Sequence, residues 1–313
     1  MHPGSASDRP TDASLRKGPL FVWRSTCVAC FGPLRGAFLV AGFRYLKCSR
    51  CGTLQLEESP PTEDLAKLYQ SDSTWTSPKE PGLDDPRQEQ LNTGRRLKVL
   101  GDMGVTLDRV FELGPGRAYL AHALVWRGSQ VTAFEAHTET NEHLRSLGIE
   151  TISGLSQMQG EYDTIILWGV IEHLGDPWEV LSILTRRLAL GGSVVIMTED
   201  ASCYLARIAG ARWTWLLPPE HVVLFSRLGL ELCLRRLGYE LAACRRWPTD
   251  IRAIACTLLG RERALRLRRG FRAARTGGIE ALRGSATFMK RILDGNIWPL
   301  SEHKVYRFVR TSA

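Results

Sequence analysis

The sequence predicts an α/β fold in which a seven-stranded, mostly parallel sheet carries helices on both faces. A small cysteine-rich module should precede the sheet, and a basic helical tail should follow it. Segments with strand and helix character alternate between Glu89 and Gly260, a pattern typical of parallel sheets. Four of the eight cysteines lie between residues 27 and 51. Residues 245–313 carry 16 basic and 5 acidic side chains, a net charge of +11, whereas the whole chain carries +8.

The composition excludes two broad classes of protein. Apolar residues form 44% and charged residues 24% of the chain, which is ordinary globular usage and excludes a mainly disordered chain. No run approaches the roughly 18 consecutive apolar residues that a transmembrane helix requires. Residues 1–19 are polar and lack the apolar segment of a secretory signal. We therefore expect a disordered N-terminal tail and a cytoplasmic protein.

Two CxxC pairs, Cys27-x2-Cys30 and Cys48-x2-Cys51, are separated by 17 residues. Two such turns can place four thiolates at about 2.3 Å around one Zn²⁺ ion. Since four protein ligands leave no open coordination position, the expected metal is a structural Zn²⁺ in a zinc ribbon formed by residues 20–58. Redox pairs or disulfides are the alternative. They are disfavoured because neither pair lies in a βαβ pattern and no secretory signal is present.

Residues 59–88 are polar and rich in proline, which predicts a linker or flap with one short helix from Glu63 to Tyr69. The α/β core should then occupy residues 89–260. Its seven expected strands are Arg109–Leu113, Gln130–Glu135, Glu150–Ser153, Tyr162–Trp168, Gly192–Thr198, Tyr239–Arg245 and Ile251–Leu259. Its five expected helices are Gln90–Met103, Ala118–Arg127, Thr138–Ser146, Pro177–Leu188 and Arg227–Leu237.

The end of the first expected strand carries the first chemical signal, a glycine loop. Gly114 and Gly116 allow a sharp turn and a close approach of the backbone to a ligand, and Glu112 precedes them. The third glycine of a dinucleotide-binding loop would fall at Tyr119 and is absent. The second expected strand ends in Glu135, whose carboxylate can accept hydrogen bonds from both hydroxyls of an adenosyl ribose. These features predict a Rossmann-like nucleotide site.

These residues, with the segments YDTIILWGVIEHLGDP and LALGGSVVIMTED, resemble the class I S-adenosylmethionine-dependent methyltransferases. The resemblance covers roughly residues 90–259. It implies a Rossmann-like core and S-adenosylmethionine as the cofactor. It further implies that Glu112, Gly114 and Gly116 hold the methionyl part and that Glu135 holds the ribose.

Two Glu-His pairs are candidates for proton transfer. Glu172-His173 follows the fourth expected strand, and Glu220-His221 lies between the fifth strand and the next helix. A histidine beside a carboxylate can act as a general base, so we expect His221 first and His173 second, with Glu220 as a catalytic neighbour. The alternative is that His221 only holds its loop. Some quinone O-methyltransferases place a metal-binding acid where this chain has Gly169, so we do not expect a catalytic Mg²⁺.

The ribbon and the short helix that follows it resemble those of sugar C- and O-methyltransferases from glycan and secondary-metabolite clusters. The resemblance implies methylation of a sugar, nucleotide sugar or secondary-metabolite hydroxyl or carbon. A non-catalytic methyltransferase-like binding module is one alternative, although the intact glycine loop argues against it. A nucleic-acid methyltransferase is another, although the chain lacks a base-binding Asn/Asp-Pro-Pro-Tyr motif after the fourth strand.

The basic tail, residues 261–313, is expected to form helices interrupted at Gly277-Gly278. Its arginines can bind a pyrophosphate group of a nucleotide sugar or lipid-linked glycan. They can also lie on an anionic membrane, which would make the protein peripheral. A solvated basic face is the simplest alternative. Nucleic acid is not expected as a partner because no recognition motif accompanies the charge.

Overall fold

The computed structural model describes residues 22–23, 25–59, 86–248, 257 and 301–311. The strands are β1 (Val22–Trp23), β2 (Leu34–Val40), β3 (Phe43–Cys48), β4 (Leu54–Leu56), β5 (Glu58–Ser59), β6 (Arg109–Leu113), β7 (Gln130–Phe134), β8 (Glu150–Ile152), β9 (Tyr162–Trp168), β10 (Leu188–Glu199), β11 (Val223–Leu224), β12 (Tyr239–Trp247) and β13 (His303–Arg310). The α-helices are α1 (Pro86–Asp102), α2 (Tyr119–Trp126), α3 (Thr138–Ser146), α4 (Pro177–Thr185), α5 (Tyr204–Ala209) and α6 (Arg227–Arg236).

The main sheet has seven strands in the order β12-β13-β10-β9-β6-β7-β8. The four pairings from β10 to β8 are parallel, and β13 is antiparallel to both of its neighbours. The strand order reverses between β6 and β9, which opens a crevice at the carboxyl edge of the sheet. The mostly parallel seven-stranded sheet of the predicted α/β fold is thereby confirmed.

Helices pack on both faces of this sheet. Neighbouring residues of a strand alternate between two cores: Phe111 and Ile165 belong to one, whereas Val110 and Ile166 belong to the other. All five predicted core helices are present with bounds shifted by a few residues, and α5 is an additional short helix. Every helix among the described residues is too short or too polar to cross a bilayer.

The seventh strand is not the predicted segment Ile251–Leu259. Of that segment the structure describes Thr257, which is helical and buried. The position between β10 and β12 is occupied by β13, which comes from the segment predicted as a helical tail. That tail prediction is wrong for His303–Arg310. The expected tail helices in 261–300, the disordered residues 1–19 and the linker helix Glu63–Tyr69 lie outside the described residues.

The strand character of β13 was not predicted because its charged side chains make it resemble the basic segment before it. Val305 is buried in one core and Phe308 in the other, as a central strand requires. The guanidinium of Arg307 donates hydrogen bonds to β10 and to the end of α1. Its Nε donates to Ser193 Oγ at 2.8 Å and its Nη1 donates to the Met103 carbonyl at 2.6 Å.

The cysteine-rich module, residues 25–59, is joined to the core through a shared sheet. Strands β2, β3 and β4 form an antiparallel sheet that continues into β11 of the core. On the other side, the Arg236 guanidinium of α6 lies 3.5 Å from the ring centroid of Phe31 and 4.1 Å from that of Trp178 on α4. Such cation–π contacts add to the packing of the module on two core helices.

Gly229 on α6 allows a close approach between the module and the core. A Cβ atom at this position would lie 2.0 Å from Thr53 Oγ1 and 3.3 Å from Cys51 Sγ. Thr53 is fully buried and its Oγ1 accepts from the Ser226 amide, so it has little room to move.

We expect Gly229→Ala to lower the free energy of unfolding by about 1–3 kcal/mol, because the added methyl group overpacks this contact. The measurement is urea denaturation. Gly94→Ala on α1 is the matched control, since its Cβ would meet nothing within 4 Å. That substitution should stabilise the helix by up to about 1 kcal/mol. Equal stability of Gly229→Ala and the wild type would contradict the observed docking of the module.

Candidate active site

A cavity of about 310 Å³ opens at the carboxyl edge of the sheet. It lies at the switch point between β6 and β9, where parallel α/β sheets bind ligands. Its walls are the glycine loop after β6, residues 135–137 after β7, residues 169–170 and 173–176 after β9, and the first turns of α3 and α4. Gly114, Gly116, Glu135 and His173, which were predicted as site residues, all line it.

The glycine loop has the backbone conformation that its sequence predicts. Gly114 and Gly116 have φ angles of 66° and 54°, a region that favours glycine. A Cβ atom on Gly114 would lie 2.8 Å from Val170 Cγ2, so packing alone requires glycine there. A Cβ atom on Gly116 would meet no atom within 4 Å. The backbone at Gly116 therefore leaves space beside it for a ligand.

Glu135 lies directly after β7 and holds the glycine loop. Its carboxylate accepts hydrogen bonds from the Gly116 amide at 2.9 Å and from the His137 amide at 3.1 Å. The Asn141 side chain donates to the Glu135 carbonyl at 3.2 Å. Because Glu135 is only partly buried and lines the cavity, its carboxylate is available to a hydroxyl ligand.

Glu112, the acid before the glycine loop, is buried beneath it and only 3% exposed. Burial raises the pKa of its carboxyl to about 7, against the opposing effect of the Arg96 charge. The Arg96 guanidinium of α1 lies 5.5 Å from the centroid of the Trp168 ring. Arg96 was not predicted as a site residue. Arg96 lies four residues before the buried Leu100, and this spacing places it on the buried face of α1. That spacing could have indicated a buried position for Arg96.

The two Glu-His pairs, separated in sequence, meet in the structure. The His173 and His221 rings lie edge to face with centroids 4.7 Å apart, and we call them the His pair. Their Nδ1 atoms lie 3.1 Å from the Glu220 carbonyl and 2.9 Å from the Trp215 carbonyl, respectively. Since a carbonyl only accepts, these contacts assign the proton to Nδ1 and leave Nε2 as the basic nitrogen of each ring. Glu220 thus contributes its backbone carbonyl to the pair.

Burial, with a smaller effect of His221, lowers the pKa of His173 to about 3. His173 is therefore neutral at neutral pH. It lines the cavity, whereas His221 lies behind it and is 4% exposed. The Tyr45 hydroxyl of β3 donates to the His221 carbonyl at 2.8 Å, and burial raises the pKa of Tyr45 well above its usual value. The hydroxyl thus stays protonated and fixes the loop that carries His221.

Two buried carboxyl groups lie beside the His pair. Glu172 Oε1 is 4.0 Å from His173 Nε2, and burial, followed by the Glu199 charge, raises the pKa of Glu172 well above its usual value. Burial also acts to raise the pKa of Glu199. The hydrogen bond from His303, together with the positive charge that His221 carries when it is protonated, outweighs burial and lowers that pKa to about 2. Glu199 is therefore the ionised carboxylate of the site.

The sequence did not predict three further residues near the His pair, Glu199, His303 and Glu302. His303 Nε2 lies 3.3 Å from Glu199 Oε1, and Glu302 accepts from the indole nitrogens of Trp213 at 2.7 Å and Trp215 at 3.2 Å. His303 is the first residue of β13 and Glu302 directly precedes it, and the strand character of this segment was not predicted. The Trp215 ring lies parallel to the His221 ring at a centroid distance of 6.2 Å. Trp215 thus supports His221 with both its ring and its backbone carbonyl.

The four cysteines of the CxxC pairs come together in a buried cluster. The Sγ atoms of Cys27 and Cys51 are 3.7 Å apart, and those of Cys30 and Cys48 are 3.5 Å apart. All four Sγ atoms lie within 4.8 Å of one another. A disulfide requires about 2.05 Å, whereas tetrahedral Zn–S bonds of about 2.3 Å separate the sulfurs by about 3.8 Å. The arrangement fits a zinc ion and does not fit two disulfides.

Comparison with known proteins agrees with this geometry. Residues 81–243 match a family model described as a methyltransferase domain. The chain is 28% identical over 145 residues to the ubiquinone biosynthesis O-methyltransferase of Vibrio cholerae serotype O1, covering 42% of this chain and 59% of that enzyme. It is 31% identical over 112 residues to the tRNA U34 carboxymethyltransferase of Psychromonas ingrahamii, covering 34% of this chain and 31% of that enzyme.

The fold is similar to that of magnesium protoporphyrin IX methyltransferase from Synechocystis PCC 6803, solved with bound S-adenosylhomocysteine. The TM-score is 0.50 at 13% identity, covering 80% of this chain and 100% of that one. The chain spans less than two thirds of the length of the ubiquinone biosynthesis O-methyltransferase that it matches. Since the matched family model covers more than half of the chain, this protein belongs to the family of methyltransferase domains.

Proposed function

We propose that the protein is an S-adenosylmethionine-dependent methyltransferase that acts on a small-molecule or glycan acceptor. The observation that carries this proposal is that one cavity is lined both by Gly116 and Glu135, the expected cofactor residues, and by His173 of the His pair. Methyl transfer requires the donor, the acceptor and any base to meet in a single site. The cavity brings those groups within reach of one another.

The residues of the cavity fit the cofactor. The Glu135 carboxylate already accepts two amide hydrogen bonds at the cavity wall and can accept ribose hydroxyls there. Gly114 and Gly116 let the backbone approach the methionyl part, and Glu112 provides a buried carboxyl beneath it. When bound, S-adenosylmethionine supplies a methyl group on a positively charged sulfur.

In this proposal the His pair removes a proton from the acceptor. Both rings carry their proton on Nδ1 and present an unprotonated Nε2. The ionised Glu199 provides the negative charge that a buried imidazolium requires. His221 is therefore proposed first as the general base, and His173, whose protonation is opposed by burial, is proposed second, while Glu220 positions His173 through its carbonyl. A general base of this kind contributes about 10²–10⁴ to the rate.

The acceptor is proposed to be a hydroxyl or carbon of a sugar, nucleotide sugar or other small molecule. A quinone-biosynthesis O-methyltransferase among the similar proteins favours oxygen as the accepting atom. A structural Zn²⁺ is proposed for Cys27, Cys30, Cys48 and Cys51, whose sulfur separations support it. The cytoplasmic location, a peripheral contact of the basic tail with an anionic membrane, and pyrophosphate binding by its arginines remain predictions.

The cofactor proposal is tested by isothermal titration calorimetry with S-adenosylhomocysteine. We expect binding to the wild type and a loss of about 10- to 100-fold in affinity for Glu135→Ala, since hydrogen bonds to a carboxylate contribute about 1.5–3 kcal/mol. Glu142→Ala is the matched control, because Glu142 is exposed on the neighbouring α3. Failure of the wild type to bind would instead support a non-catalytic binding module.

A further inference from the structure

Glu302 is a fully buried carboxyl group to which the proposed function gives no role. It directly precedes β13 and lies 87 residues after Trp215 in the sequence. Burying a carboxyl group costs free energy, and an apolar side chain of similar size would fill the same space without that cost. The reason for a carboxyl group at this position must therefore lie in the groups that it contacts.

The two oxygen atoms of Glu302 bind two different indole groups. Oε1 accepts from Trp213 Nε1 at 2.7 Å, and Oε2 accepts from Trp215 Nε1 at 3.2 Å. Burial raises the pKa of Glu302, and both indole hydrogen bonds act against that effect because they favour the ionised carboxylate. Glu302 thus fixes the positions of both indole nitrogens.

Trp215 connects Glu302 to His221. Its backbone carbonyl lies 2.9 Å from His221 Nδ1. Its ring is parallel to the His221 ring, with an interplanar angle of 3°, and meets the His303 ring edge to face at 4.6 Å. Trp215 therefore contacts Glu302 through its indole nitrogen and His221 through its carbonyl and its ring.

The Trp215 carbonyl determines which nitrogen of His221 is basic. A neutral imidazole carries its proton on either nitrogen, and the hydrogen bond made by one nitrogen sets the tautomer. Because a carbonyl only accepts, it holds the proton on Nδ1 and leaves Nε2 free to take a proton. Without this carbonyl, the tautomer with its proton on Nε2 would also be populated. That tautomer cannot accept a proton at Nε2.

We propose that Glu302 is a positioning residue for the general base and that it sets the tautomer of His221 through Trp215. This inference rests on the proposed function, because it concerns the base of that same site. Glu302 is not among the residues that line the cavity. Its replacement should therefore change proton transfer and leave cofactor affinity unchanged.

The first experiment determines the tautomer of His221. Nitrogen NMR of isotope-labelled histidine side chains distinguishes the two neutral tautomers, and His221→Gln identifies the signals by removing them. Trp215→Phe keeps an aromatic ring beside His221 and removes the hydrogen bond to Glu302. We expect the wild type to carry the proton on Nδ1 and Trp215→Phe to populate both tautomers.

Glu302→Gln tests the other end of the connection. The amide has a single acceptor oxygen, so one of the two indole hydrogen bonds must be lost. The bond to Trp215 is the longer one, so we expect it to be lost and the tautomers of His221 to become mixed. Trp213→Phe is the matched control, because it also removes an indole donor from Glu302 but leaves both contacts of Trp215 with His221. It should keep the wild-type tautomer.

Turnover provides a second readout, with an acceptor on which the wild type is active. Trp215→Phe and Glu302→Gln should each lower kcat by about 3- to 10-fold, the effect of one hydrogen bond, with KM for S-adenosylmethionine within about twofold. Because Glu302 acts through Trp215, the double variant should have nearly the same kcat as the slower single variant. Full additivity of the two effects would contradict a shared path.

A purely structural role for Glu302 predicts a different pattern. All three variants would then lower the thermal unfolding temperature, while His221 kept its proton on Nδ1 and kcat did not change, and the proposal would be wrong. A mixed tautomer with wild-type kcat would overturn the proposal together with the assignment of His221 as the base. Failure of the wild type to bind S-adenosylhomocysteine would overturn the proposed function, and the NMR experiment would still test the connection from Glu302 to His221.

Discussion

Cys51→Ser is expected to abolish binding of the proposed zinc ion and to unfold the cysteine-rich module. The four buried thiols are arranged with the sulfur separations of a tetrahedral site, and the described module, residues 25–59, is too short to build a large core. In small zinc domains, metal binding supplies about 10–16 kcal/mol of apparent free energy, and that energy drives folding. Zinc content by atomic emission should fall from one ion per chain to none, and hydrogen exchange should become fast in β2, β3 and β4.

Cys244→Ser is the matched control for this prediction. Cys244 is a free thiol on β12, in the core sheet and outside the cluster, so its replacement should leave the zinc content unchanged. A chelator strong enough to remove zinc should reproduce the effect of Cys51→Ser on the wild type. A metal-free protein with normal protection of β2–β4 would contradict a structural zinc site.

Unfolding of the cysteine-rich module should also disturb the position of the His pair. Strand β4 pairs with β11, which begins two residues after His221, and the Leu56 amide donates to the Val222 carbonyl at 2.9 Å. The Tyr45 hydroxyl binds the His221 carbonyl. The glycine loop and Glu135 follow the core strands β6 and β7 and take no part in these contacts. We therefore expect a zinc-free protein to lose turnover while its core keeps affinity for S-adenosylhomocysteine.

The parts of the fold that sequence reasoning predicted correctly are those with local signals. The glycine loop requires residues within a few positions of each other, and alternating apolar segments mark β6 to β10 and their helices. The CxxC pairs predicted their cluster because metal ligands must recur at fixed short spacings. Glu135 was predicted from its place at the end of a strand. Each of these signals can be read without knowing which distant segments meet.

The parts that were missed depend on long-range pairing. Strand β13 lies between β10 and β12, and nothing near His303 in sequence indicates those neighbours. The partnership of Glu199 with His303 follows from that pairing and was missed with it. Arg96 lies on a helix expected only to cover the sheet, and its position near Glu112 and Trp168 appears only when β6 and β9 are placed beside that helix. A site assembled from distant segments is visible only after the topology is known.

Replacing either ring of the His pair by alanine is expected to lower turnover by about 10²–10⁴, the usual contribution of a general base. His173 and His221 touch each other and share the ionised Glu199 as their nearby charge, so they should act as one unit. The double variant should therefore have nearly the same turnover as the slower of the two single variants. Turnover is measured as S-adenosylhomocysteine formed with an acceptor on which the wild type is active, and calorimetry should show unchanged cofactor affinity.

A purely structural role for the His pair predicts different results. His173 lines the cavity, so His173→Ala opens a space that free imidazole can enter from solvent. Added imidazole should restore part of the turnover if the lost group is a base, and it should have no effect if His173 only supports the loop through the Glu220 carbonyl. His143→Ala, at an exposed position on α3, is the matched control and should keep wild-type turnover. Wild-type turnover in both His173→Ala and His221→Ala would exclude the His pair as the base.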